Sequence, residues 1–394
     1  MLPFSDLVVL DFARGYPGAY TTMFLGDFGA EVIRIDPPQG AVYQRRADPD
    51  ELAAYHTVHR NKKSIIINLR NEQGQAVLHK LVKKADVLLE GFRPGVMARL
   101  NAGYETLKET NPRLIYCSLS GFGPDGPYAS FPGHDMNYIG LGGVLSLIGP
   151  RDGPPCLPSN FIADMAGAGL HGVIGILIAL AAREKTGKGQ FVDIAYLDST
   201  ISLLAMEAPT YFRTGAVPRR GEHAFTGGAS WANVYRCKDG EYITLGCLEP
   251  HFWENLCRAI DREDLIPLQN PPLDEADRVK SELAGVFLTR TRDEWFEFFK
   301  DKNTCVGPVY YLNETFSDPQ VLHRGMVTEI EHPRLGKIKQ LGLPIKLSDT
   351  PGKIRSLGTP EGAHTEEILL DLGYSQKEIE SLRCSEAVGF IDKG

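Results

Sequence analysis

The sequence predicts an α/β fold, a parallel sheet covered by helices, with a smaller α+β unit after it. Three observations point to this. Strand, helix and strand patterns follow one another between Leu7 and Ile35. The alternation continues to Phe212. A polar, Gly-rich stretch, Arg213–Gly228, then gives way to a hairpin signal and amphipathic helices.

Taken in order, Leu7–Phe12 is a short apolar run of strand type, Ala19–Phe28 reads as a helix and Glu31–Ile35 as a second strand. That succession is a βαβ unit, which implies parallel pairing through a right-handed crossover. Ser64–Leu69 (SIIINL) predicts a strand, and Glu72–Lys84 a helix with apolar residues near 3.6 spacing. Val87–Glu90 and Leu114–Leu119 are further strands, with a short helix at Thr106–Asn111 between them. Gly121–Pro158 is rich in Gly and Pro, and long loops of that kind inside an α/β domain commonly carry function.

Ile162–Ala182 has about the ~20 residues a bilayer span requires. It opens near Asp164, contains His171 and is rich in Gly and Ala, so a buried helix with close backbone neighbours is the expectation, not a membrane span. It ends in KTGKG, where Gly187 suits a left-handed cap and lysines face the negative end of the helix. Phe191–Tyr196 reads as a strand and Ser199–Phe212 as a helix.

Beyond the linker, Asn233–Tyr235 and Tyr242–Leu245 flank Lys238-Asp239-Gly240, a hairpin signal. His251–Ile260 and Arg292–Phe299 predict amphipathic helices. The tail from about Leu322 is strand-like and turn-rich, with a closing helix near Thr365–Leu372. The expected organisation is a large domain over residues 1–212, a linker over 213–228, a small domain over 229–320 and a C-terminal segment, 321–394, returning to the large domain.

The length of 394 residues supports two units, since single cores stop growing near about 250–300 residues. A net charge of −8 argues against general nucleic-acid affinity, so a phosphate-bearing ligand needs local basic residues. The seven cysteines are scattered without a CxxC pair, which predicts reduced thiols in a cytoplasmic protein and no metal site. The N-terminus shows no basic stretch or small-residue cleavage site of a secretory signal.

Dinucleotide binding is disfavoured. The first turn, ARGYPGAY at Ala13–Tyr20, lacks GxGxxG and puts Pro17 where backbone would approach a pyrophosphate, although Asp36 follows the second strand. No Walker A loop occurs.

Three acid–base candidates remain: His134 with Asp135 in the Gly-rich stretch, Asp164 at a helix start, and Glu249 before Pro250. An acid at a helix start is more often a cap than a catalyst, and spacing alone does not choose among these residues. Arg34, Arg60, Lys62, Lys63 and Arg93 are candidate phosphate partners or plain solvated charge. Cys305 has no neighbouring activating His and reads as a packed thiol.

Several stretches carry a resemblance: LDFARGYPGAYTTMFLGDFGAEVIRIDPP, RNKKSIIINLR, ADVLLEGFRPGVMARLNAGYETLKETNPRLIYCSLSGFGPDGPYA, TGKGQFVDIAYLDS, CVGPV and HTEEILLDLGYS. In order and over nearly the whole length, they resemble the family III CoA-transferase (CaiB/BaiF) superfamily, which includes the α-methylacyl-CoA racemases. The resemblance implies a Rossmann-like large domain, a small domain and an interlocked homodimer. It implies an acyl-CoA thioester substrate and no cofactor beyond that coenzyme A.

Two reactions share this scaffold. In the transferases the aspartate matching Asp164 is a nucleophile that carries acyl and then CoA. In the racemases the same position transfers a proton, paired with the histidine of GHDxNY and supported by the glutamate of LEPxF. This chain has GHDMNY at Gly133–Tyr138 and LEPHF at Leu248–Phe252, so the resemblance favours the racemase pattern, with His134, Asp164 and Glu249 catalytic. Removing the α-proton of a thioester needs a base, a stabilised enolate oxygen and an acid on the opposite face. The Asp164 N–H, at its helix start, is the expected oxyanion donor.

By matching positions, CoA would meet Arg34, the turn Asn61, Lys62, Lys63 and Ser64, then Ala85, Asp86 and Val87, Arg93, and the loop Gly133, His134, Asp135, Met136, Asn137 and Tyr138. Lys62 and Arg93 are the best phosphate partners among them. The chain reads FTGGASWANVY at Phe225–Tyr235 where racemases usually read LDGGAPFY, so Thr226 replaces an acid. Altered acyl selectivity is expected from that departure.

Overall fold

The computed structural model describes residues 1–13, 15–38 and 54–390. The chain divides into two compact units: Met1–Ile139, Ser159–Ser202 and Pro319–Gly394 form the first, and Gly140–Pro158 with Leu203–Asp318 the second. The expected linker therefore belongs to the small unit, as does much of the Gly/Pro-rich loop. Both segments are stitched there by backbone and side-chain bonds: Arg151 donates to the Gly221 carbonyl and pairs with Asp277 at 2.7 Å.

Six strands of the first unit are parallel: β1 (Val8–Phe12), β2 (Glu31–Asp36), β3 (Lys62–Ile67), β4 (Val87–Glu90), β5 (Ile115–Ser120) and β6 (Phe191–Ala195). β1 to β5 are almost wholly buried and carry Val, Ile and Leu runs, as sheets covered on both faces require, whereas the edge strand β6 is partly exposed. The small unit holds an antiparallel sheet of β7 (Ala232–Arg236), β8 (Tyr242–Gly246) and β9 (Val306–Pro308). Its core gathers Trp231, Trp253, Phe287, Trp295 and Phe299 beneath helices Pro250–Ala259, Leu273–Phe287 and Arg292–Phe299. The tail adds a hairpin, β10 (Val327–His332) with β11 (Gly336–Leu341), and a short antiparallel edge strand, β12 (Val388–Gly389).

The large sheet runs β12-β3-β2-β1-β4-β5-β6. From β1 the order proceeds to β2 and β3 on one side and to β4, β5 and β6 on the other. This is the doubly wound arrangement, and its crevice opens beyond the carboxyl ends of β1 and β4, where the direction of winding reverses. Phe12 and Glu90 are register partners at that mouth.

The apolar segment is a 26-residue helix, Phe161–Thr186, long and apolar enough by length and composition to cross a membrane. Its first part, Phe161–Gly169, is wound as a π-helix, and Leu170–Thr186 continues as α-helix to Gly187, whose φ of 70° makes the left-handed cap. One face is seated closely: a Cβ on Gly172 would come within 2.9 Å of Thr21, and one on Gly175 within 2.9 Å of Val192. The opposite face leaves Leu170, Ile174, Leu177 and Ile178 exposed, so the expectation of a buried helix holds for one side only.

Ser199–Phe212, expected as one helix, is two, Tyr196–Ser202 and Glu207–Thr214, and the passage to the small unit falls between them.

Candidate functional site

At the crevice, Asp11 organises the turn after β1. Its Oδ1 accepts from the Ala13 N–H at 2.8 Å, and its Oδ2 accepts from Thr22 at 2.6 Å and from the Lys62 ammonium at 2.9 Å. The helix that follows, Tyr16–Asp27, begins at Gly15 with Pro17 in its first turn, where a missing N–H costs nothing. Across the mouth, the buried carboxyl of Glu90 accepts from the Phe92 N–H at 2.7 Å and from Ser118. Burial pushes its pKa up. These bonds shape the exit from β4 that carries Arg93, which is exposed, makes no side-chain hydrogen bond or ion pair among the described residues, and acts on Tyr138 through its charge.

The loop Gly133–Tyr138 enters a short helix, Asp135–Leu141. Tyr138 lies in a slot that only glycines allow, because a Cβ on Gly133 or Gly121 would stand 2.7 Å from its ring or hydroxyl. Its ring sits 5.0 Å from that of Tyr196, at the end of β6. Asp135, 3% exposed, turns its carboxylate onto the π-helical segment: Oδ2 accepts from the Ala163 N–H at 2.8 Å and the Asp164 N–H at 2.9 Å. The expectation that the Asp164 N–H serves an enolate oxygen is thereby corrected, since that hydrogen is already donated.

Asp164 is half-buried, and its carboxyl is pushed up to about 6, by burial first and by the Asp135 charge second. His134 and a hydrogen bond from Asn160 act in the opposite direction. His134 itself is exposed; its backbone N–H donates to Asn137 Oδ1 at 3.0 Å, which fixes the loop but leaves the imidazole open. Burial and the Asp164 charge push Tyr138 up to about 12, and the same two causes raise Tyr196 further. His134, Asp135, Tyr138, Asp164 and Tyr196 thus share one electrostatic neighbourhood. Glu249 lies in the other unit, exposed at the N-cap of Pro250–Ala259.

The remaining expected CoA contacts fare differently. Lys62 is 3% exposed, and its ammonium donates to Asp11, to Thr22 at 2.7 Å and to the Ala19 carbonyl at 2.9 Å. All three hydrogens are spent, which leaves none for a phosphate. Arg34 donates to Asp36 at 2.7 Å and to the Thr359 carbonyl. Asn61 bonds Asp27, the Lys353 carbonyl and the N–H groups of Arg355 and Ser356. Ser64 donates to Asp36 and accepts from the Gly362 N–H. Together they anchor the returning tail. Lys63 is held between Glu31 and Glu367, each at 2.8 Å. Ala85 and Val87 are buried at the amino end of β4, with Asp86 paired to Arg183, at the end of the strand opposite Arg93. Sequence reasoning missed Glu90 and Tyr196. A carboxylate ending an otherwise apolar strand, VLLE, was the available signal for the first.

A doubly wound sheet with a carboxyl–imidazole neighbourhood at its switch point defines an enzyme of the α/β class whose chemistry is acid–base or acyl transfer. Residues 4–365 match the model of CoA-transferase family III, and the chain belongs to that family. It is 37% identical over 386 residues to an α-methylacyl-CoA racemase of Homo sapiens, covering 98% of this chain and 97% of that one. It is also 33% identical to the alpha subunit of a succinyl-CoA–L-malate CoA-transferase of Chloroflexus aurantiacus, over 98% and 93% of the two chains. A crystal structure of a CaiB/BaiF family protein from Brucella suis superimposes with a TM-score of 0.81 at 30% identity, covering 94% of this chain and 99% of that one.

Proposed function

We propose that this chain is an acyl-CoA racemase or epimerase that inverts the α-carbon of a 2-methyl or otherwise 2-substituted acyl-CoA thioester by 1,1-proton transfer. The observation that supports this most is the Asp164 carboxyl, held near neutrality beside the open imidazole of His134. One of the two removes the α-proton, the electron pair moves onto the thioester oxygen as an enolate, and the other returns a proton to the opposite face. Glu249, the glutamate of the LEPHF motif, is the third catalytic residue in this reading. Arg93 meets a CoA phosphate, and the Gly133–Tyr138 loop lines the thioester. CoA enters only as part of the substrate.

The working form is an interlocked homodimer, supported by the exposed stripe Leu170, Ile174, Leu177 and Ile178. A reducing, cytoplasmic setting is supported by seven cysteines that are all free thiols.

A second reading is favoured by the transferase relatives and by the same Asp164. Its carboxylate attacks the thioester carbonyl, CoA thiolate leaves, and the thiolate then attacks the resulting anhydride at the aspartyl carbonyl, forming an enzyme–CoA thioester and releasing the acid.

Incubation of a chiral 2-methylacyl-CoA in deuterium oxide separates the two. The racemase reading expects α-hydrogen exchange without any acceptor acid. In His134→Ala, exchange from one enantiomer falls by about 10²–10⁴, far more than CoA affinity. Strict dependence on a carboxylate acceptor, with hydroxylamine trapping an adduct at Asp164, sinks it in favour of transfer.

A further inference from the structure

We infer that Asp135 is a positioning residue for Asp164, acting both as the acceptor that holds the start of the π-wound segment and as a fixed negative charge beside it. This rests on the reading of Asp164 as a proton carrier.

The geometry comes first. One oxygen, Oδ2, takes the two consecutive N–H groups of Ala163 and Asp164. A π-helical start leaves several such hydrogens without intrahelical partners, and isolated π turns are concentrated at functional sites. Two amides need an oxygen but not a charge, and the neutral oxygen of an asparagine would satisfy both. The other oxygen, Oδ1, is buried with no hydrogen-bond partner among the described residues. A buried carboxylate so sparingly compensated is costly for the fold, which calls for a role beyond capping.

The groups around Asp164 say what that role is. His134 and Tyr138 face it from the helix that Asp135 begins, Tyr196 from the helix after β6, and Asn160 from its own approach. Tyr20 packs against Gly169, and His171 binds the Gly167 carbonyl through Nδ1 at 2.7 Å. Arg14 lies outside the described residues. Among the neighbours named, Asp135 is the like charge that opposes ionisation of Asp164, against His134 and Asn160, which favour it. Burial is the larger cause of the rise, and Asp135 adds to it, so that Asp164 holds a proton where an ordinary aspartate would have lost it, a condition for acting as the acid toward an enolate.

The test compares Asp135→Asn, which keeps an amide acceptor and removes the charge, with Asp135→Ala, which removes both. The Asp164 carboxyl is titrated directly by 13C NMR of aspartate-labelled protein, with its signal assigned by Asp164→Asn. In Asp135→Asn the midpoint is expected to move to lower pH by roughly one unit. Exchange of the enantiomer reprotonated by Asp164 then drops about tenfold near pH 7.5. Exchange of the enantiomer deprotonated by Asp164 rises at pH values below the wild-type midpoint. Asp135→Ala is expected to lose exchange of both enantiomers through disorder at Ala163–Asp164. An unmoved midpoint in Asp135→Asn overturns the charge role, and identical exchange in Asn and Ala variants overturns the acceptor role. Because the titration needs no substrate, the two fail separately: a wild type without exchange refutes the racemase reading, and an unmoved midpoint refutes the charge role of Asp135 whichever reaction is catalysed.

Discussion

Replacing Lys62 by Met asks whether this residue holds the fold or a phosphate. Its ammonium sits 2.9 Å from Asp11 Oδ2, and both side chains are 1% exposed. At an effective dielectric near 20 the attraction is worth about 6 kcal/mol, most of it offset by desolvation. Burial lowers the Lys62 pKa, against the raising effect of Asp11, so the pair contributes little net stability. Removing one partner is another matter, because Asp11 keeps a buried charge with, among the described residues, the Ala13 N–H and Thr22 hydroxyl to answer it. The expected loss is about 3–5 kcal/mol, or roughly 10 °C in the midpoint of the large unit. Asp11→Asn added to Lys62→Met should recover part of it, since no orphan charge remains. All three tryptophans lie in the small unit, so urea unfolding followed by tryptophan fluorescence reports that unit. Far-UV circular dichroism adds the helices of the large sheet. The dichroism transition should move to lower urea in Lys62→Met while CoA affinity of the folded protein is unchanged. Unaltered unfolding with a tenfold loss of CoA affinity would refute the reasoning and return Lys62 to the phosphate site.

Two further outcomes are expected. Arg93→Ala should weaken CoA binding about 10- to 100-fold in calorimetric titration, the worth of one charge-assisted hydrogen bond; an equal loss for 3′-dephospho-CoA assigns the contact to the diphosphate. Asp164→Asn should stabilise the protein at neutral pH. The folded carboxyl, raised to about 6 from an ordinary 3.8, gives stability below the ordinary value and loses it as pH rises through 6. The thermal advantage of the variant should therefore grow between pH 4 and 6 and level off above, and a constant difference across that window would contradict the assignment.

The parallel strands were legible because each is a short apolar run bounded by helix-periodic segments, and helix Glu72–Lys84 has its expected bounds, capped by Asn71 as helix starts commonly are. The order of those strands was not legible, since pairing β1 with both β2 and β4 depends on contacts between segments nearly eighty residues apart (Val9 with Val87). Helix Leu273–Phe287 was overlooked although Ala276, Val279, Leu283 and Phe287 fall on one buried face behind an acidic first turn. Cations were the weakest reading. RNKKS looks like a charged mouth in sequence, yet Arg60 pairs with Asp27 at 2.6 Å and Lys62 with Asp11, both fully inside. Local spacing cannot announce a buried partner that lies thirty to fifty positions away. His134 and Asp164 could be named from motifs, whereas the carboxylate of Asp135 joining them through backbone hydrogens needed coordinates.

A racemase interconverts two forms of a substrate that are nearly equal in energy, so neither direction may be strongly favoured at the proton-transfer step. Its two proton carriers then work best when their affinities are similar, for a proton that falls to one of them must be lifted back in the next turnover. An unperturbed aspartate, near 3.9, and an imidazole, near 6.5, differ by about 3.5 kcal/mol in that respect. Burial together with the Asp135 charge carries Asp164 up to about 6, well above an ordinary aspartate. At about 6 the carboxyl still ionises at neutral pH, so the same rise also suits a nucleophile, and α-hydrogen exchange without an acceptor acid is the observation that decides between proton transfer and acyl transfer.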